Sequence, residues 1–183
     1  MALEIERRFL VRGEEWTSHV EWSAELRQGY LLCREDGLTA RVRMREHSDA
    51  SHQAWLTIKA QPDPGAPAAV RLEFEYPIPV DDASVLLRMA PWRVEKRRYG
   101  LVFPGGDWVV DVFHGANSPL VIAEVEIQHA DDSLAIPSWC AQEVTGLHSL
   151  SNALLARNPF QQWPKADRQA LWPAKPETPA HQA

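Results

Sequence analysis

Residues 3–11, LEIERRFLV, place Glu4, Glu6 and Arg8 at every second position, with Leu3, Ile5, Phe9 and Val11 filling most of the alternate ones. Successive side chains of a strand point to opposite sides, so this segment predicts a strand with one charged and one mainly apolar face. Alternation, or enrichment in β-branched and aromatic residues, predicts further strands over 28–33, 38–47, 53–60, 69–78, 92–102, 107–114 and 120–129. Asp36-Gly37, Pro62-Asp63-Pro64-Gly65 and Gly105-Gly106 punctuate them. The expectation is therefore about eight strands. Helices are predicted over 14–26, over 81–89 with Asp81 or Asp82 as cap, and as a pair over 138–157 broken at Gly146. These would cover outward apolar strand faces. From Pro159 onward the composition shifts: five of the fourteen prolines fall in 159–183. This predicts an irregular tail, with room for a short helix over Lys165 to Leu171 and with Trp163 and Trp172 as candidate anchors.

The charged faces carry the chemistry. Like signs recur at alternate positions of single strands: Glu4 and Glu6, Arg41 and Arg43, Glu73 and Glu75, Lys96 and Arg98, Glu124 and Glu126, with Lys59 and Asp111 on neighbouring segments. Same-face neighbours on a strand are only about 7 Å apart, so such pairs repel unless something of opposite sign stands between them. A half-exposed sheet could send all of these side chains into water, but that arrangement favours mixed signs on each strand. A closed barrel with a polar interior resolves the repulsion, because acidic strands could hold cations while basic strands hold an anion. Clustered carboxylates suit a hard divalent cation, and clustered Arg and Lys suit phosphate oxygens. A metal-dependent enzyme acting on a polyphosphate is the first functional reading.

Composition narrows this. At 183 residues the chain fits one domain, and a net charge of −6 provides no global positive field for holding a nucleic-acid duplex. Cys33 and Cys140 form no metal-ligand spacing and favour a reducing, cytoplasmic setting. No apolar run approaches the roughly 20 residues that span a bilayer. Seven histidines lack HExxH spacing, there is no phosphate-binding glycine loop, and the eight tryptophans are scattered, which suits packing better than base stacking.

The same segments resemble a known family. EIERRFLV is similar to the Glu-x-Glu-x-Lys signature of the CYTH superfamily, the triphosphate tunnel metalloenzymes. RQGYL, ARVRMR, LTIKA, LEFEYPIP, VEKRRY, VVDVFHG and AEVEI look like its other blocks in the same order. The resemblance covers residues 1–158 as one domain, leaving 159–183 as a Pro-rich tail. It implies an α+β, mainly β fold: an eight-stranded antiparallel closed tunnel with helices packed outside, binding a triphosphate and one or two Mg2+ or Mn2+ ions. Glu4, Glu6, Glu73, Glu75, Asp111, Glu124 and Glu126 are then the expected metal ligands, and Arg8, Arg41, Arg43, Lys59, Lys96 and Arg98 the expected phosphate contacts. Tyr30, Arg8 and Lys96 are the expected catalytic groups, Tyr30 by its likeness to the family's proton acceptor. As a hydrogen-bonded wall residue Tyr30 would serve equally well. Glu73 shares a face with Arg71 and could simply pair with it, Arg45 reads as a rim charge, and Glu95 and Arg97 point into solvent.

Two positions depart from the family pattern. Arg8 replaces a lysine, exchanging a compact ammonium for a planar fork. The loop from Phe113 to Leu120 differs as well, which is expected to alter only a hairpin turn. The small bacterial members are the nearest resemblance, implying hydrolysis of inorganic tripolyphosphate to pyrophosphate and phosphate. Thiamine triphosphatase, nucleoside triphosphatase, class IV adenylyl cyclase and a non-catalytic polyphosphate-binding module stay open, as does a homodimer.

Overall fold

The computed structural model describes residues 3–47, 49–63, 65–67, 69–129 and 134–171. Seven of the eight predicted strands appear as β1 (Leu3–Val11), β3 (Thr39–His47), β4 (His52–Ala60), β5 (Val70–Pro77), β6 (Trp92–Leu101), β7 (Asp107–Phe113) and β8 (Val121–Glu126), and the eighth, expected over 28–33, is the second half of the longer β2 (Val20–Cys33). The helix expected over 14–26 is absent. A 3-10 turn spans Glu15–His19, and β2 then runs for 14 residues. Trp22, Ala24, Leu26, Gln28 and Tyr30 also satisfy period 2. Pairing with β3 on one edge and β6 on the other decides the matter, because both edges of the backbone find hydrogen bonds.

The sheet order is β5-β4-β3-β2-β6-β7-β8-β1, and it closes through the pairs Leu3↔Leu72, Glu4↔Arg71 and Ile5↔Val70. The result is an eight-stranded antiparallel barrel. Closure uses only the start of β1 and leaves its edge open at Phe9–Val11. A ninth strand, β9 (Cys140–Glu143), pairs there. It replaces the first of the two helices expected over 138–157. Gly146, at φ 74°, then turns the chain, and the second expected helix survives as α2 (Asn152–Arg157), where the Ser151 hydroxyl accepts from the Leu154 amide at 3.2 Å. The open edge of β1 supplies the physical reason, since an uncovered row of strand amides and carbonyls favours pairing over a helix.

Three cores hold the barrel. Outside β1, β7 and β8, Phe9, Trp108, Val125 and Trp139 are buried together, with the Trp108 and Trp139 rings 5.5 Å apart. Outside β3 and β4, α1 (Val80–Met89) buries Ala83 against Val42, Met44 and Ala54. The third core lies at one end of the barrel, where inward-facing Leu10, Tyr30, Val94, Phe113 and Ile122 meet Leu150, Leu155 and Phe160. Complete burial of Leu10, Ile122, Leu150 and Leu155 stabilises this plug by about 1.5–3 kcal/mol per side chain. The inward face is thus apolar at the plugged end and charged over the rest of its length.

The loop after β7 is more than a turn. Asn117 donates to the Leu155 carbonyl at 3.2 Å and accepts from the Phe160 amide at 2.8 Å, tying the plug to the barrel. Beyond it, Phe160 meets Trp163 edge to face, with ring centroids 5.3 Å apart, and α3 (Lys165–Ala170) follows. Trp172 lies outside the described residues. Among those described, no helix is long and apolar enough to cross a membrane.

Candidate active site

The charged half of the barrel encloses a cavity of about 490 Å3, within the ordinary size of a small-molecule site. Its wall carries Glu4 and Glu6 from β1, Arg41, Arg43 and Arg45 from β3, Lys59 from β4, Glu73 and Glu75 from β5, Arg98 from β6, and Glu124 and Glu126 from β8. Strand parity brings them together: Arg8 stands opposite Glu124, Glu6 opposite Glu126, Lys59 opposite Glu73, and Arg98 opposite Asp111.

The signs are less segregated than each strand alone suggests. Arg43 donates to both oxygens of Glu75 at 2.7 and 2.9 Å, and the Thr57 hydroxyl donates to the same carboxylate at 2.9 Å. Lys59 bridges Glu4 and Glu73, the latter at 3.3 Å. Glu73 also meets Arg41 at 3.5 Å, while its suspected partner Arg71 donates instead to the Gly37 carbonyl. Like charges along each strand are separated by opposite charges across strands, so the walls largely neutralise one another. Arg97 pairs with Glu25 on the solvent side, as its parity requires.

A second layer lies behind this wall. Lys96 and Asp111 have no exposed surface and form an ion pair; Lys96 also donates to the Asn152 side chain at 3.0 Å. Burial pulls the Lys96 ammonium down to about 8, against the opposing pull of Asp111. Arg98 forks onto Asp111 through two contacts of 2.7 Å and reaches Glu124 with the same guanidinium. Burial alone would raise Glu124, but Arg98, Lys96 and Arg8 outweigh it and hold the carboxyl well below its ordinary range. Arg8 donates to Glu124 at 3.2 Å and to the Leu150 carbonyl at 3.0 Å, so the fork that replaces the family lysine joins the acidic wall to the plug. Tyr30 is buried in the plug, which pushes its hydroxyl up despite the neighbouring Arg41 guanidinium.

Several wall residues escaped the sequence reading. Gln28 is buried and accepts from Arg41 at 3.0 Å; it falls in the strand expected over 28–33, but an uncharged amide gave no sign of a place on the charged face. Asn152 reaches the cavity from the plug, a contact that no local pattern encodes. Arg45, read as a rim charge, lines the cavity at the end of the β3 row away from the plug.

The carboxylates fit a hard divalent cation. Glu6 and Glu126 face each other directly, Glu126 faces Asp107 on its other side, and no basic group stands within ion-pairing distance of Glu126 among the described residues. Burial and Glu124 push Glu6 up; burial, Glu4, Asp107 and Glu6 push Glu126 up. Directly opposed like charges destabilise a sheet, and an all-oxygen donor set suits Mg2+, Mn2+ or Ca2+. Among the described residues no three acidic or imidazole groups already converge as a metal cage. Glu4 is engaged by Lys59 and Glu124 by Arg98.

Comparison with known proteins agrees with this geometry. The chain is 36% identical over 163 residues to a protein of Acetivibrio thermocellus named inorganic triphosphatase, covering 88% of this chain and 97% of the relative. It is 34% identical over 158 residues to a Nitrosomonas europaea protein of the same name, covering 84% and 96%. A crystal structure described as an inorganic triphosphatase superposes with a TM-score of 0.56 at 32% identity, covering 85% of this chain and 95% of that one. A Pyrococcus horikoshii protein shares the fold at a TM-score of 0.53 and 17% identity, over 70% and 80% of the two chains. The CYTH domain profile matches residues 2–157, and with inward Glu, Asp, Arg or Lys on seven of the eight barrel strands, the chain belongs to the CYTH domain family.

Proposed function

We propose that this protein is a metal-dependent triphosphatase that hydrolyses inorganic tripolyphosphate to pyrophosphate and phosphate. One observation carries the reading: a single barrel cavity sets Arg41, Arg43, Lys59 and Arg98 against Glu4, Glu6, Glu124 and Glu126, and relatives matched over nearly their whole length are named inorganic triphosphatase. Glu4, Glu6 and Glu126 would hold Mg2+ or Mn2+, which when bound neutralises phosphate charge and polarises water.

The chain's own residues supply the rest. The buried Nε atoms of Arg41 and Arg43 have no hydrogen-bond partner and await an acceptor. As a polyphosphate enters, Arg41, Arg43 and Lys59 exchange their carboxylates for non-bridging oxygens, and the freed Glu4, Glu73 and Glu75 become available to a cation. Arg98 stabilises charge on the departing pyrophosphate, since phosphoryl transfer depends chiefly on positioning and electrostatics. Lys96, Asp111 and Arg8 act through Arg98 and Glu124 as positioning residues. Tyr30 serves Arg41 as a hydrogen-bonded wall residue, because a phenol pushed up by burial is a poor proton acceptor at neutral pH. Free Cys33 and Cys140 accord with a cytoplasmic enzyme.

Phosphate release from tripolyphosphate, longer polyphosphate, thiamine triphosphate and ATP, each with EDTA, Mg2+ or Mn2+, tests the reading. Tripolyphosphate should be the best substrate, turned over only with metal. Equal release after exhaustive chelation would refute the metal requirement, and a clear preference for an organic triphosphate would move the substrate.

A further inference from the structure

Every other cation on the cavity wall is paired: Arg41 with Glu73, Arg43 with Glu75, Lys59 with Glu4, and Arg98 with Asp111. Among the described residues Arg45 has no carboxylate partner, and its buried Nε has no hydrogen-bond acceptor. It is nonetheless held in place. Its guanidinium carbon lies 5.5 Å from the Trp22 ring centroid and 5.1 Å from that of Trp55, within cation–π range of both.

This arrangement is built into the barrel. Trp55 stands directly opposite Arg43 on β4 and contacts both arginines. Trp22 lies across Gly100 of β6, where an added Cβ would come within 2.0 Å of the indole Nε1, so glycine is what makes room for the ring. Burial and the nearby Arg98 pull the Arg45 guanidinium down, with Glu75 opposing. An unpaired cation beside another cation costs free energy, and here the ring faces offset part of that cost in place of a carboxylate.

Position gives the arrangement its use. Arg41, Arg43 and Arg45 occupy alternate sites of β3, about 7 Å apart. Arg41 stands opposite Tyr30 at the plugged end, so Arg45 ends the row at the mouth. An incoming polyanion can bind Arg45 without first breaking an ion pair, whereas at Arg41, Arg43 and Lys59 a carboxylate must leave. Resting on the triphosphatase reading above, we infer that Arg45, held by Trp22 and Trp55, is the substrate-binding residue that captures the outer phosphoryl group of a linear polyphosphate at the tunnel mouth.

Steady-state kinetics and calorimetric titration of tripolyphosphate in EDTA, on wild type, Arg45→Ala and Arg45→Lys, test this. Arg45→Ala should raise KM and the metal-free Kd about tenfold, change kcat less than twofold, and flatten the salt dependence of kcat/KM. Arg45→Lys, which keeps the charge but loses the flat contact with the rings, should fall between. Trp22→Leu should raise KM in the same direction as Arg45→Ala by a smaller factor. Unchanged KM and Kd in Arg45→Ala, with or without a lower Tm, would overturn the inference and leave the stack a purely structural feature. Wild type that binds tripolyphosphate through Arg45 without turning it over would refute the triphosphatase reading while leaving the capture site standing.

Discussion

Glu6 illustrates how one residue stores the tension that a ligand relieves. It faces Glu126 across β1 and β8, and its nearest cation, Arg8, is 3.7 Å away. Because the folded state raises its pKa, folded protein binds more protons than unfolded protein between the ordinary carboxylate value and the raised one. Stability must therefore fall as pH rises through that window. Glu6→Gln should remove this fall and stabilise metal-free protein by about 0.2–1 kcal/mol, while lowering turnover by about 100-fold or more. Melting curves in EDTA across mildly acidic to neutral pH, alongside rates with Mg2+, check both halves. A variant less stable than wild type at neutral pH would show that Glu6 is held by contacts other than those described. Arg8 behaves differently, because its guanidinium serves Glu124 and the Leu150 carbonyl at once. An ammonium cannot reproduce that fork, so Arg8→Lys should retain activity yet lose about 1.5–3 kcal/mol of stability, with Arg8→Ala losing more of both. Equal melting temperatures for wild type and Arg8→Lys would exclude the plug tie.

At the scale of elements, short segments hold their places through single contacts. α2 has only six residues, too few to be stable alone, and depends on the Ser151 cap, its apolar face and the two Asn117 bonds. Asn117→Ala leaves a buried carbonyl and amide without partners, each costing about 1–3 kcal/mol, and loosens the helix that carries Asn152. The expected outcome is a clear drop in Tm with reduced turnover; full activity at low temperature would mean that α2 does not shape the cavity. α1 is seated by close approach. A Cβ on Gly29 of β2 would lie 2.7 Å from the Ala90 Cβ and 3.1 Å from a Leu87 methyl. Gly29→Ala should therefore cost about 1–3 kcal/mol, measurable by denaturant unfolding, with little effect on KM because the clash lies outside the barrel.

For the molecule as a whole, a protein of net charge −6 sets five of its 19 Lys and Arg on the wall of one cavity. That wall also carries six carboxylates, so a bound divalent cation together with the unpaired Arg45 would supply the pull on a polyanion, and kcat/KM should fall as ionic strength rises. The acidic wall makes metal binding a folding event in part. Mg2+ or Mn2+ should raise Tm, and the gain should shrink as pH falls and protons compete for Glu4, Glu6 and Glu126, whose pKa values lie above normal. Differential scanning fluorimetry at several pH values, with metal or EDTA, reads this directly. A gain that does not change with pH would place the metal away from these carboxylates.

Alternation in the sequence was sufficient to predict all eight barrel strands, β2 only in its second half, with their inward faces and most of the cavity wall, because strand parity is local and a like-charged pair two residues apart needs a shared interior. Arg41, Arg43, Lys59, Glu4, Glu6 and Glu124 were legible for that reason. Three things were decided only by tertiary structure. Val20 to Leu26 fits helix and strand periods alike, and pairing with β3 and β6 selected the strand. Cys140–Glu143 became β9 because barrel closure left half of one β1 edge unpaired. The partners of each charge, including the isolation of Arg45 among indoles, depend on which strands become neighbours in a closed ring. A chain encodes which side chains share a face within each strand; ring closure and register determine which charges meet.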